Sequence, residues 1–70
     1  MGQLKEQFGL RVLYLRKKAK LSQKELADKI GVVEGTIGRL ERGVIGLKFD
    51  NIEVLADVLG VEVWELFKFN

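Results

Sequence analysis

The sequence predicts an all-α domain, a compact five-helix bundle, and three observations predict it. Apolar residues recur at three- and four-residue spacing along most of the chain, the period at which side chains share one face of a helix. Gly31, Gly43 and Gly60 each close one of these apolar segments, where a helix end favours the left-handed conformation. Proline is absent, and neither a low-complexity linker nor an internal repeat divides the seventy residues, so residues 1–70 read as one unit.

The first helix spans Gln3 to Lys18, a stretch rich in the good helix formers Leu, Lys, Glu, Gln and Arg. Phe8, Val12, Leu15 and Ala19 fall at helical spacing and define its core face. Leu10, Leu13 and Tyr14 form a second apolar stripe, wider than one packed face needs, which is expected to meet the C-terminal segment or another subunit. The helix runs out in Arg16-Lys17-Lys18-Ala19-Lys20, where cations suit the negative end of the dipole.

Ser22 and Glu25 have the spacing of a capping box, with each side chain accepting from the other residue's backbone N–H, so a second helix starts at Gln23. Leu26, Ala27 and Ile30 make its apolar face, and Gly31 stops it. A third helix, about Val33 to Arg42, carries Val33, Ile37 and Leu40 at i, i+4 and i+7. Two short helices joined by a tight glycine turn form a helix-turn-helix, here over residues 22–43. Helices this short are marginal in water alone and must be held by packing. The third is the weakest. Val33 has no side-chain acceptor with which to cap, and Gly35 and Gly38 each cost about 0.8–1.0 kcal/mol relative to Ala in a helix interior. Glu34 recovers a little beside the positive end.

The loop Val44 to Lys48 is unusually apolar. Phe49 or Asp50 then opens a fourth helix, for which Asp50 and Glu53 offer a second capping box. Ile52, Leu55, Ala56 and Leu59 form its core face. A short fifth helix is expected over Val61 to Phe67, containing Trp64, Leu66 and Phe67, with Phe69 just beyond. Exposed aromatic groups mark interaction surfaces, so Trp64, Phe67 and Phe69, with Val44, Ile45 and Leu47, are candidates for a homodimer seam, and residues 61–69 for a dimerisation segment.

A domain of seventy residues buries only about 60% of its unfolded surface, and without cysteine it has no disulfide to compensate. The absence of Cys and His also removes the usual metal ligands, the thiol nucleophile and the near-neutral acid or base. There is no metal-ligand spacing, no phosphate-cradling glycine motif and no nucleophile beside a base. An enzyme, a cofactor and a metal site are therefore not expected. The net charge of +2 is weakly basic, which suits a nucleic-acid binder without establishing one. No signal-peptide run and no stretch of about 18 apolar residues is present, so the expected compartment is the cytoplasm, with no membrane partner.

Several separated runs share type and spacing with one family: Leu21-Ser22-Gln23-Lys24-Glu25-Leu26-Ala27, Gly31-Val32, Thr36-Ile37, Leu40-Glu41-Arg42-Gly43, Leu55 to Val61, and Trp64-Glu65-Leu66-Phe67. Together they resemble the phage-repressor and Cro-like (XRE-type) group of bacterial helix-turn-helix DNA-binding proteins, over nearly the whole chain. The resemblance implies a lambda-repressor-like bundle and a small transcriptional regulator of double-stranded DNA, most simply a repressor. The compact controllers of restriction-modification operons, which can also activate, are an equal likeness. Val33 departs from the pattern, since family members usually place Ser or Thr there.

In that family the second helix lies across the sugar-phosphate backbone and the third enters the major groove. The resemblance puts Val33, Glu34, Gly35 and Arg39 at base-reading positions. Arg39 suits a bidentate contact to guanine or a plain phosphate contact. Glu34 suits cytosine N4 or the helix dipole, and Thr36 a thymine methyl or a phosphate. Gly35 and Gly38, taken as lying on the exposed face, would let the backbone approach DNA at the expense of side chains that read bases. Gln23 corresponds to a phosphate-binding glutamine. Arg42 and Lys48 flank the third helix as further phosphate candidates, and Lys17 and Lys18 are either phosphate contacts or a solvated helix end. Arg16 stands opposite Glu41 in the family pattern, as a partly buried ion pair between the first and third helices. One recognition helix reads few base pairs, so a homodimer on a pseudo-palindromic operator is expected, with half-sites roughly 34–36 Å apart. The alternative is a helical protein-interaction module with weak or lost DNA binding, motivated by the few long polar side chains among Val33, Glu34, Gly35 and Gly38.

Overall fold

Helix ends with a shared geometry divide the chain in the computed structural model, which describes residues 3–69. Four α-helices follow in order, α1 (Gln3–Lys18), α2 (Gln23–Ile30), α3 (Glu34–Glu41) and α4 (Phe49–Leu59), and then a 3₁₀ helix, Val63–Phe67. Just past each α-helix one residue takes positive φ: Lys20, Gly31, Gly43 and Gly60. The next N–H then turns back to the carbonyl five residues earlier, Leu21 to Arg16, Val32 to Ala27, Val44 to Arg39 and Val61 to Ala56, at 2.9–3.1 Å. These bonds satisfy carbonyls that the helix end leaves without a partner. Lys20, with φ 62°, is the one residue other than glycine in that role among the described residues.

At the other end of α2, Ser22 Oγ accepts from Glu25 N–H at 2.9 Å and the Glu25 carboxylate accepts from Ser22 N–H at 2.8 Å. The second capping box expected at Asp50 does not form. Lys48 occupies the N-cap of α4 with extended backbone and no side-chain cap, because its carbonyl already accepts from Ile52 N–H at 3.0 Å. Asp50 therefore falls inside the first turn, where only the dipole favours it. The short fifth helix expected over Val61 to Phe67 is a 3₁₀ helix that begins only at Val63. Val61 is used in closing α4 and Glu62 N–H is held by the Glu65 carboxylate at 2.9 Å, so five residues remain, a length at which the tighter form is usual.

Phe8, Val12 and Leu15 of α1 meet Leu26, Ala27 and Ile30 of α2, Ile37 and Leu40 of α3, Ile52, Leu55, Ala56 and Leu59 of α4, and Leu66 of the 3₁₀ helix in one buried core. Ala19, expected on this face, is exposed beyond the end of α1, since the left-handed Lys20 has begun to turn the chain away. Leu66 seals the core, and Phe67 stacks on Phe8 with ring centroids 5.0 Å apart. Arg11 Nε ties α1 to the same segment by donating to the Glu65 carbonyl at 2.7 Å.

The contact that positions the helix-turn-helix is between α1 and α3. Gly9 is buried, and a Cβ there would collide with the carbonyl oxygens of Leu40 and Glu41. Nothing in the local sequence marks Gly9, because its need for a bare backbone comes from residues more than thirty positions away. Close approach at Gly9 brings the side of α1 that carries Arg16, two turns further on, against the C-terminal half of α3.

Candidate nucleic-acid interface

Arg16 and Glu41 form the buried ion pair that the family pattern implies. Arg16 Nε donates to Glu41 Oε2 at 2.6 Å and Nη2 to Oε1 at 3.1 Å, while Nη1 donates to the Leu21 carbonyl at 2.8 Å. Both residues are under 9% exposed. Two-pronged geometry of this kind holds a carboxylate in direction as well as distance, and the third donor ties in the segment leading to α2. Among the described residues no buried side-chain nitrogen or oxygen lacks a partner.

Gln23, the first residue of α2, extends this network to the surface. Its Nε2 donates to Glu41 Oε1 at 2.9 Å, so the side chain proposed for phosphate is held by the ion pair. An amide nitrogen has two hydrogens, and the second is left for an outside acceptor. The backbone N–H of Gln23 also belongs to the first turn of α2, where helix donors lack internal partners. The capping pair next door keeps this end of the helix acidic. Hydrogen bonds from the Ser22 backbone and hydroxyl hold the Glu25 carboxyl below its ordinary value of 4.5.

On α3, Ile37, Leu40 and Glu41 are buried, while Glu34, Gly35 and Arg39 are exposed and Thr36 is half-buried. Val33 is the N-cap, 69% exposed and without a side-chain cap bond. Gly38 corrects the expectation that both glycines lie on the open face. It is buried, and a Cβ there would lie 3.2 Å from Arg42 Nη1 and 3.8 Å from Gln23 Oε1. The reason is a neighbour on another helix, which α3's own periodicity does not contain. Gln23 thus stands beside the side of α3 at Gly38, over which Arg42 also lies.

Arg42 and Lys48 are exposed at either end of the loop after α3. Lys17 and Lys18 are exposed at the end of α1, with Lys18 Nζ 5.9 Å from the centre of the Tyr14 ring and Arg11 at 5.4 Å on that ring.

The apolar candidates divide. Leu47 and Phe67 line one open cleft together with Leu4, Phe8, Phe49 and Ile52. Phe69 lines a different groove, beside Leu10 and Tyr14. Ile45, Leu47 and Phe69 are also partly buried against the core, so they close the monomer in part. Val44 and Trp64 are exposed, Trp64 at 63%, and neither lines the cleft. Phe49 and Leu4 were missed. Phe49 shares the register of Ile52, which marks it for the core, yet it is 86% exposed. A helical side chain covers the turn that precedes it, and at the first position of α4 there is no such turn.

Comparison with known proteins agrees with this geometry. Residues 12–66 match the model of the HTH_3 family, described as helix-turn-helix. No curated protein sequence matches the chain. Among solved structures, the restriction-modification controller protein C.AhdI from Aeromonas hydrophila is similar over 94% of this chain and 96% of its own, at 36% identity and a TM-score of 0.89. The clp gene regulator ClgR from Corynebacterium glutamicum is 25% identical over 91% of this chain and 68% of its own, with a TM-score of 0.88. SinR, a master regulator for biofilm formation solved in complex with DNA, is 31% identical over 87% of this chain and 98% of its own, with a TM-score of 0.81.

Proposed function

This chain belongs to the HTH_3 helix-turn-helix family, and we propose that it regulates transcription as a homodimeric repressor on a pseudo-palindromic operator in the cytoplasm. Membership of a helix-turn-helix family, and likeness to a clp gene regulator, a restriction-modification controller and a master regulator solved in complex with DNA, support sequence-specific binding of double-stranded DNA by a transcriptional regulator. The DNA-silent interaction module is not favoured.

The residue assignment is supported by the Gln23 amide, held by Glu41 of the Arg16–Glu41 pair and set with Arg42 beside Gly38, and by the exposure of Arg39 on the open side of α3. Arg39, with Val33, Glu34, Gly35 and Thr36, faces the base edges in the major groove. Gln23, Arg42 and Lys48 take phosphates, with Lys17 and Lys18 as outer contacts. Phosphate contacts set register and base contacts set sequence.

A dimer is supported by the open apolar cleft of Leu4, Leu47, Phe49 and Phe67. A molecule of 30 × 23 × 22 Å beside its copy has the dimensions to place two recognition helices roughly 34–36 Å apart.

Selection from a random duplex library, followed by fluorescence anisotropy at several salt concentrations, tests the reading. The expected result is an inverted-repeat site whose affinity falls by about 0.9 log units per log unit of salt for each phosphate neutralised. Failure to enrich any duplex, or binding untouched by Gln23→Ala and Arg39→Ala, would overturn it.

A further inference from the structure

Two glycines of α3 each stand four residues before an arginine, Gly35 before Arg39 and Gly38 before Arg42. Residues four apart share a helix face, and a helical side chain leans back over the turn that precedes its own Cα. Both arginines do this. A Cβ on Gly35 would lie 3.3 Å from Arg39 Nη1, and one on Gly38 3.2 Å from Arg42 Nη1. Both separations are closer than ordinary van der Waals contact, so a Cβ on either glycine would press on the guanidinium above it and push it outward by a few tenths of an ångström. Among the described residues neither arginine has a carboxylate within ion-pairing distance.

We propose that Gly35 and Gly38 are seats for these two guanidinium groups, and that this paired register positions the DNA contacts of α3. Seated over Gly35, Arg39 carries its donors towards the N-terminal half of the recognition helix, the part that meets base edges. The base pair that residue 35 would otherwise read is then read by an arginine rooted one turn later. Seated over Gly38, Arg42 lies beside the Gln23 amide, which Glu41 already holds in place through Nε2. Arg42 and Gln23 form a clamp for one phosphate, prearranged by the Arg16–Glu41 pair beneath it. Arg16 and Glu41 are thereby positioning residues for a DNA contact that neither makes.

Two glycines in an eight-residue helix are otherwise a plain loss of helix propensity, and the seats give them a use. The inference rests on the DNA-binding reading, and its test separates the two. Gly35→Ala, Gly38→Ala, Arg39→Ala, Arg42→Ala and the double variant Gly38→Ala/Arg42→Ala are compared in thermal unfolding and in anisotropy against the selected operator.

Both glycine variants are expected to melt at higher temperature, because alanine is the better helix former, and yet to bind more weakly. For Gly38→Ala the loss is about three- to tenfold at unchanged base preference, with the salt slope shallower by about 0.9, one phosphate fewer. That loss disappears in the Arg42→Ala background. Gly35→Ala is expected to relax preference at the base pair that Arg39→Ala also relaxes. Operator affinity, slope and preference unchanged in both glycine variants would overturn the seats alone. So would a lowered melting temperature for Gly38→Ala, which would mean rigid packing rather than a movable guanidinium, or a loss that persists without Arg42. A parent protein that binds no duplex would overturn the DNA reading itself.

Discussion

Arg16 and Glu41 are joined by two hydrogen bonds in the interior, 2.6 and 3.1 Å long, across twenty-five residues of sequence. Both residues are more than nine-tenths buried, so each charge depends on the other, and α3 is held on α1 by that pair and by the close approach at the bare backbone of Gly9. Arg16→Ala or Glu41→Ala leaves one charge stranded and is expected to cost about 3–5 kcal/mol in urea unfolding. The joint replacement Arg16→Met/Glu41→Leu is expected to cost much less than either. A single replacement costing under about 1 kcal/mol would show that the pair does not hold the helices together.

Lys20 sits at the end of α1 in the left-handed conformation that glycine occupies at the other three helix ends. A side chain there is unfavourable by about 1–2 kcal/mol, partly offset because glycine has more freedom to lose on folding. Lys20→Gly is therefore expected to stabilise by about 0.5–1 kcal/mol, seen as a rise of about 3–6 °C in the melting temperature. Lys20→Ala serves as the control and is expected to leave the melting temperature nearly where it was. A drop on Lys20→Gly would contradict the assignment.

The lowered pKa of Glu25 makes part of the stability depend on pH. Its carboxylate is held below 4.5 in the fold, so the unfolded chain takes up its proton first as pH falls. The stabilisation is complete above about the unfolded value and disappears as pH drops through the folded one. Glu25→Gln should thus lower the urea midpoint at pH 7, and the gap from the parent should narrow in acid. A gap that stays constant from pH 7 to pH 3 would show that the ionised form contributes nothing special.

Phe49 is exposed enough that replacing it leaves the core untouched, which makes it the cleanest probe of the proposed dimer. Phe49→Asp is expected to raise the dimer dissociation constant by at least about tenfold in sedimentation equilibrium, given about 1.5–3 kcal/mol for burying such a side chain. The unfolding midpoint of the monomer should not fall. Trp64→Ala, outside the cleft, is expected to weaken the dimer less. If Trp64→Ala dissociates the protein and Phe49→Asp does not, the seam lies elsewhere.

The exposed side of α3 and the ion pair behind it were legible beforehand, but not for one reason. The exposure of Glu34 and Arg39 follows from the period of Ile37 and Leu40, whereas the pairing of Arg16 with Glu41 came through likeness to a family, since nothing in local spacing joins residues that far apart. Gly38 departs from the expected open face because the Gln23 amide arrives beside it from α2. Phe49 differs in kind: its register with Ile52 points inward, and its place at the start of α4 leaves it exposed.

What the sequence determined by itself are features decided within about one helical turn: the Ser22–Glu25 cap, the stops at Gly31, Gly43 and Gly60, and the apolar faces of α2 and α4. Hydrogen bonds of short reach and a fixed helical period need no knowledge of the rest of the chain. Tertiary structure alone decided that α1 touches α3 at Gly9, that the last segment tightens into a 3₁₀ helix, and that two arginines lie back over two glycines. Those outcomes depend on which surfaces meet, and only the packed molecule brings them together.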